Sequence, residues 1–188
     1  PYVFYGHSLG ALTAYLLTLR LQDESAPLPQ HLFLGAFSAP LGKPNPWLSC
    51  IKDQLKQHKI LLLTQPQTSL SSAQMRTLID LFMRGSSREF ESIEEHHLLK
   101  LFPTFIADLN LVESASIAKN ASLSIPLTAI GGTEDDRVNT EDILAWSKMT
   151  HASFRAHLME GDHFFLRKQQ KQADLISLIE ETLCHLVV

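Results

Sequence analysis

The sequence predicts an α/β protein, a mainly parallel sheet with helices on both faces. Three observations predict it. Short apolar runs of strand-forming residues alternate with stretches of helical periodicity along the 188 residues. Nearly half of the residues, 45%, are apolar, enough for a sizeable core in a single domain. Ser8, Asp135 and His163 each directly follow a predicted strand. Reactive groups in parallel sheets gather at those C-terminal strand ends.

The first strand is Tyr2-Val3-Phe4-Tyr5, which runs into Gly6-His7-Ser8-Leu9-Gly10-Ala11. Leu12, Ala14, Tyr15, Leu16, Leu17 and Leu19 then follow helical spacing, so a helix is expected from about Leu9 to Gln22. This is strand, sharp turn, helix, with a serine at the turn. Side chains at Gly6 and Gly10 are expected to collide with the neighbouring strand and helix. The turn lifts the Ser8 hydroxyl above the sheet rim at a helix N-terminus. There the backbone N–H of Leu9 points at negative charge forming beside Ser8, as an oxyanion donor does. Gly-x-Ser-x-Gly alone also fits a plain turn with a serine N-cap. The strand before it and the helix after it are the context a nucleophile turn demands.

His31-Leu32-Phe33-Leu34-Gly35-Ala36-Phe37 is a short apolar run bounded by turn signals and reads as a buried strand. An irregular loop with three prolines and a glycine spans Ser38 to Pro46. From Trp47 to about Lys119 the pattern is mainly helical. Trp47, Ile51 and Leu55 share one helix face. Ser71-Ser72-Ala73-Gln74 reads as a helix start, and Pro103 can open a helix carrying Phe105, Ile106, Leu109 and Val112. This is more helix than one crossover needs. Residues 47–119 are therefore expected to form a helical cap inserted over the site, with apolar faces lining an acyl pocket. Ordinary core packing is the plain alternative for any one of these residues.

The sheet resumes with Pro126-Leu127-Thr128-Ala129-Ile130-Gly131-Gly132, followed by the loop Thr133-Glu134-Asp135-Asp136-Arg137. A helix starts at Thr140-Glu141-Asp142, with Thr140 expected as its cap and the two acids at its positive end. Phe154 to Met159 reads as the last strand, Gly161 to Leu166 as the loop after it, and Leu175 to Leu186 as part of a final amphipathic helix.

A serine hydroxyl needs a base within hydrogen-bond reach, and the base needs an orienting carboxylate. The order Ser8, Asp135, His163 is that of α/β-hydrolases. Nine histidines compete as base. His7 lies inside the turn, with its side chain expected to point away from that of Ser8. His58, His96 and His97 fall in the helical insertion, His151 and His157 beside or in the last strand, and His185 in the final helix. His163 alone sits in a glycine-containing loop after a terminal strand. Asp135 competes with Glu134, Asp136, Asp142 and Asp162, of which the adjacent Asp136 is the serious rival. Asp162 is expected to support the loop. Glu94-Glu95-His96-His97 reads as a solvated helix face, because no helical pair of ligands completes a metal site.

The net charge is −4 with both signs mixed along the chain, so no basic stripe points to nucleic acid. No apolar run reaches the length of a membrane span, and no signal peptide is visible. Cys50 and Cys184 are the two cysteines, which reads as a reducing, cytoplasmic setting. The chain enters the nucleophile strand straight from Pro1. A fold of this kind needs earlier strands, so an N-terminal section is expected to precede it.

Several strings together resemble type II thioesterases, the stand-alone α/β-hydrolases that accompany non-ribosomal peptide and polyketide synthases. They are Gly6-His7-Ser8-Leu9-Gly10-Ala11, Gly131 to Asp135, Asp142-Ile143-Leu144-Ala145-Trp146, Phe102-Pro103 to Ala107-Asp108, and Gly161-Asp162-His163-Phe164-Phe165-Leu166. The similarity covers essentially the whole chain, and the last string is its most specific part. The resemblance implies a triad of Ser8, Asp135 and His163. The family often has proline where Asp136 stands. It also implies hydrolysis of acyl thioesters on the phosphopantetheine arm of carrier proteins, with no metal or organic cofactor. The family's N-terminal section supplies a second oxyanion donor. A carboxylester hydrolase or lipase with the same triad, or a non-catalytic remnant, are the alternatives.

Overall fold

The computed structural model describes residues 2–41, 46–57, 71, 73–74, 100, 104, 107–112, 115 and 121–184. Four strands form one parallel sheet in the order β1 (Phe4–His7), β2 (Leu32–Gly35), β3 (Leu127–Gly132) and β4 (Phe154–Met159). His7 pairs with Gly35, and Gly132 with Met159, so the C-terminal strand ends share one rim. Among the described residues they are accompanied by α1 (Leu9–Asp23), α2 (Pro46–Gln57), α3 (Thr140–Leu144) and α4 (Gln169–Cys184).

Alternation along the strands divides the core in two. Leu32 and Leu34 of β2, with Leu127 and Ala129 of β3, face Ala11 and Tyr15 of α1 and Ile143 and Trp146 beyond β3. Phe33, Ile130 and Met159 face the other way, onto Phe165 and Leu175, with Leu178 and Ile179 packed at the margin. Helices therefore cover both faces, as the sequence predicts. Tyr15 and Trp146 are fully buried and meet edge to face at 5.2 Å, a contact worth about 1 kcal/mol beyond its buried area. Their polar atoms are satisfied: Tyr15 Oη donates to the Ala121 carbonyl at 3.1 Å and Trp146 Nε1 to the Phe37 carbonyl at 2.6 Å. Burial pushes the Tyr15 phenol up to about 12.

Two local expectations are corrected. A Cβ at Gly6 would strike the Gly10 carbonyl and the Ala11 nitrogen, but a Cβ at Gly10 meets nothing within 4 Å. The close approach is of the β1 backbone to the first turn of α1, so only Gly6 has to be bare. The α3 cap is Asn139 rather than Thr140. Asn139 Oδ1 accepts from Asp142 N–H at 2.8 Å, and Asp142 Oδ2 accepts from Asn139 N–H at 3.2 Å. That reciprocal pair satisfies two donors at once, and asparagine caps better than threonine.

Among the described residues of the expected helical stretch 47–119, α2 and residues 73–74, 100, 104 and 107–112 are helical. Ser71 and Gln74 form a second reciprocal cap, with Ser71 N–H donating to Gln74 Oε1 at 2.9 Å and Gln74 N–H to Ser71 Oγ at 3.3 Å. The Glu94-Glu95-His96-His97 string and His58 and His185 lie outside the described residues.

His31 sits at the far end of β2, only 4% exposed, with a ring nitrogen 2.9 Å from Thr128 Oγ1. Burial, aided by the charge of Arg155, lowers its pKa from 6.5 to about 4. The folded state therefore holds neutral His31, while the unfolded chain takes up the proton near its ordinary pKa. Its contribution is complete above pH 6.5 and is lost as pH falls toward 4. It is on the order of 3 kcal/mol, the shift taken at about 1.4 kcal/mol per unit. Urea midpoints for wild type and His31→Gln should diverge with pH, the variant losing less stability between pH 7 and 4.5. Parallel curves would show that His31 does not carry this acid lability.

Candidate active site

Ser8 stands between β1 and α1 with φ of 53° and ψ of −125°. A side chain in this left-handed region is strained. Its N–H donates to the Gly35 carbonyl at 2.7 Å, which fixes the turn to β2. Leu9 is the first residue of α1, and its N–H is among those a helix start leaves without an intrahelical acceptor.

The loop after β4 brings in His163, which is 4% exposed. Its Nε2 lies 3.0 Å from Ser8 Oγ and its Nδ1 2.9 Å from Asp135 Oδ2. The Asp135 side chain is fully buried. Its other oxygen, Oδ1, accepts the N–H groups of Arg137 at 2.9 Å and Val138 at 3.0 Å. These two bonds close a side-chain turn that aims Oδ2 at the histidine. Gly132 lets the loop approach, since a Cβ there would lie 2.5 Å from the Gly161 carbonyl oxygen.

The rivals are placed elsewhere. Asp136 and Glu134 are exposed, Asp142 serves the α3 cap, and Asp162 Oδ1 accepts the Phe164 N–H at 2.8 Å. His151 and His157 are exposed. His7 Nδ1 lies 3.0 Å from Tyr5 Oη, and His7 Nε2 lies 2.9 Å from the His163 carbonyl oxygen.

A cavity of about 180 Å³ opens over Ser8, walled by Trp47 and Leu48 of α2, Leu109 and Val112, and Phe37 after β2. Asp108 and Arg137 also line it, and the Arg137 guanidinium lies 4.6 Å from the Trp47 ring centre and 4.8 Å from that of Phe164. Arg167 covers Phe164 at 4.0 Å. Burial lowers the Arg137 pKa, opposed by the carboxylates of Asp136, Asp135 and Asp162. This stack was not legible in the sequence, because its members come from α2, the loop after β3 and the loop after β4. Among the described residues, no group of three or more histidine, cysteine, aspartate or glutamate side chains is arranged to hold a metal.

A parallel sheet carrying a strained serine turn, with acid and histidine loops on the same rim, defines an α/β-hydrolase fold. The chain belongs to the thioesterase-domain family, which it matches over residues 1–183. It is 34% identical over 185 residues to linear gramicidin dehydrogenase LgrE of Brevibacillus parabrevis, covering 97% of this chain and 62% of that protein. RedJ, a thioesterase from the prodiginine biosynthetic pathway in Streptomyces coelicolor, superposes with a TM-score of 0.70 at 25% identity, covering 95% of this chain and 59% of RedJ. ClbQ, from the colibactin NRPS/PKS pathway, gives a TM-score of 0.68 at 25% identity, covering 97% of this chain and 68% of ClbQ. The chain thus spans about three fifths of the LgrE relative.

Among the described residues no helix is long and apolar enough to cross a membrane. Cys50 and Cys184 are exposed and free.

Proposed function

We propose that this chain is the catalytic part of a type II thioesterase that hydrolyses acyl thioesters on the phosphopantetheine arm of carrier proteins. Such an enzyme clears stalled or misloaded peptide or polyketide synthase modules. The observation that carries the reading is the unbroken chain Ser8 Oγ, His163, Asp135 in a member of the thioesterase family. Relatives in prodiginine and colibactin biosynthesis support the substrate class. The dehydrogenase in the LgrE name has no counterpart in this chemistry, since a serine, a proton carrier and an acid are what acyl transfer needs.

In the mechanism, His163 Nε2 takes the Ser8 proton as Oγ attacks the thioester carbonyl. Asp135 holds the Nδ1–H tautomer and stabilises the imidazolium. The Leu9 N–H donates to the oxyanion. The pantetheine thiolate leaves and is protonated by His163. His163 then activates water, which attacks the acyl-serine and releases the acid. No cofactor takes part in these steps. In this reading the cavity walls from α2 and residues 107–112 hold the acyl chain. The free cysteines fit a cytoplasmic enzyme.

The test compares acyl-pantetheine with an oxygen ester of the same acyl chain, with any residues that naturally precede Pro1 in place. A higher kcat/KM on the thioester is expected. Strong preference for the oxygen ester would make the protein a carboxylester hydrolase. Failure of a fluorophosphonate to label Ser8 would make it non-catalytic.

A further inference from the structure

We propose that His7 is a positioning residue that holds the base by its own backbone. Tyr5 Oη donates to His7 Nδ1 at 3.0 Å, and His7 Nε2–H donates to the His163 carbonyl at 2.9 Å. The inference rests on the Ser8–His163–Asp135 reading and deepens it.

The donor directions follow from chemistry. A carbonyl oxygen only accepts, so the hydrogen is on Nε2. In a neutral imidazole Nδ1 then has a free lone pair, and the Tyr5 hydroxyl supplies the proton it accepts. Burial lowers the His7 pKa, opposed by the bond to the His163 backbone, so the ring stays in that neutral form at neutral pH.

The surrounding backbone leaves room for this arrangement. A Cβ at Gly35 would lie 2.6 Å from Tyr5 Oη and 3.0 Å from His7 Nδ1, inside the bond between them. Gly35 lies beside His7 in the sheet, so a bare position in β2 is what lets two β1 side chains meet. The His7 ring also stands edge-on to Phe165 at 5.2 Å, and Phe165 is 2% exposed. These contacts hold the ring at the orientation its Nε2 needs.

What the bond fixes is the spacing of nucleophile and base. Ser8 follows His7 directly. One strand end therefore carries the nucleophile and, one residue earlier, the clamp on the His163 peptide. The loop after β4 is also tied by Glu134 N–H to the Gly161 carbonyl at 2.9 Å, but that tie lies two residues before the histidine. Rotation of the His163 peptide would swing its ring away from Ser8 Oγ without breaking it. Misplacement of a catalytic group by about 1 Å costs on the order of 10²-fold in rate.

The test measures kcat, KM and the rate of fluorophosphonate labelling of Ser8 for wild type, His7→Phe, His7→Gln and Tyr5→Phe. His7→Phe should lower kcat by about 10- to 100-fold, with KM changed by less than about threefold. His7→Gln keeps an N–H donor for the carbonyl and should recover most of that loss. Tyr5→Phe frees the His7 tautomer and should lose at least about threefold in kcat at an unchanged melting temperature. A His7→Phe kcat within twofold of wild type, or a glutamine variant no better than phenylalanine, would overturn the proposal. Should His7→Phe not fold, Tyr5→Phe decides, and wild-type kcat there overturns it. Labelled wild type with indifferent variants sinks this inference alone. Unlabelled wild type sinks the triad reading and the inference with it.

Discussion

Ser8→Ala is expected to lower acyl-thioester turnover by at least about 10⁴-fold, because in the proposed mechanism Oγ is the atom that forms the acyl-enzyme. The fold should survive. The Ser8 side chain has one described hydrogen bond, to His163 Nε2. The turn is held instead by its backbone N–H on the Gly35 carbonyl and by the Gly6 close approach, and alanine keeps the first and leaves the second untouched. A melting temperature within a few degrees of wild type, with residual hydrolysis at the level of uncatalysed chemistry plus binding, is the expected pair of results. Turnover near wild type would move the nucleophile elsewhere.

The second large effect separates two adjacent acids. Asp135→Asn should cost about 10⁴-fold in kcat, as expected when an amide stabilises the wrong histidine tautomer and cannot balance the imidazolium. The amide oxygen can still accept from Arg137 and Val138 N–H, so the loop should keep its shape. Asp136 is exposed, and its nearest electrostatic role is toward Arg137. Asp136→Asn should therefore stay within about threefold of wild type, since an exposed charge of this kind is worth about 1 kcal/mol or less. Steady-state kinetics on the two variants decides it. The reverse ranking would shift the acid by one residue.

The sheet and the serine turn were legible where the signal is local. A strand, a bare-glycine turn and a helix follow one another within residues 2–22, so the Ser8 turn could be read directly. His163 was singled out by its glycine-containing loop after β4. Asp135 and Asp136 were not separable from spacing, because the choice is made by a side-chain turn onto the N–H groups of Arg137 and Val138. The roles of His7 and Arg137 were illegible for a different reason. His7 bonds a carbonyl 156 positions later, and Arg137 stacks on Trp47 of α2 and on Phe164 of the loop after β4. Gly35 did carry a clue, since glycine inside an apolar strand marks a close approach. Gly10 misled because a motif glycine need not be a crowded one. Thr140 misled because the asparagine just before it is the stronger cap.

The backbone at Ser8 has a consequence for how this protein responds to selection. A serine at φ 53° carries conformational energy of about 1–3 kcal/mol that glycine at the same place would largely shed. Under the proposed mechanism, thermal tolerance and turnover thus pull position 8 in opposite directions. A hunt for heat-resistant variants that never assayed hydrolysis would drift toward a sturdier, inert protein.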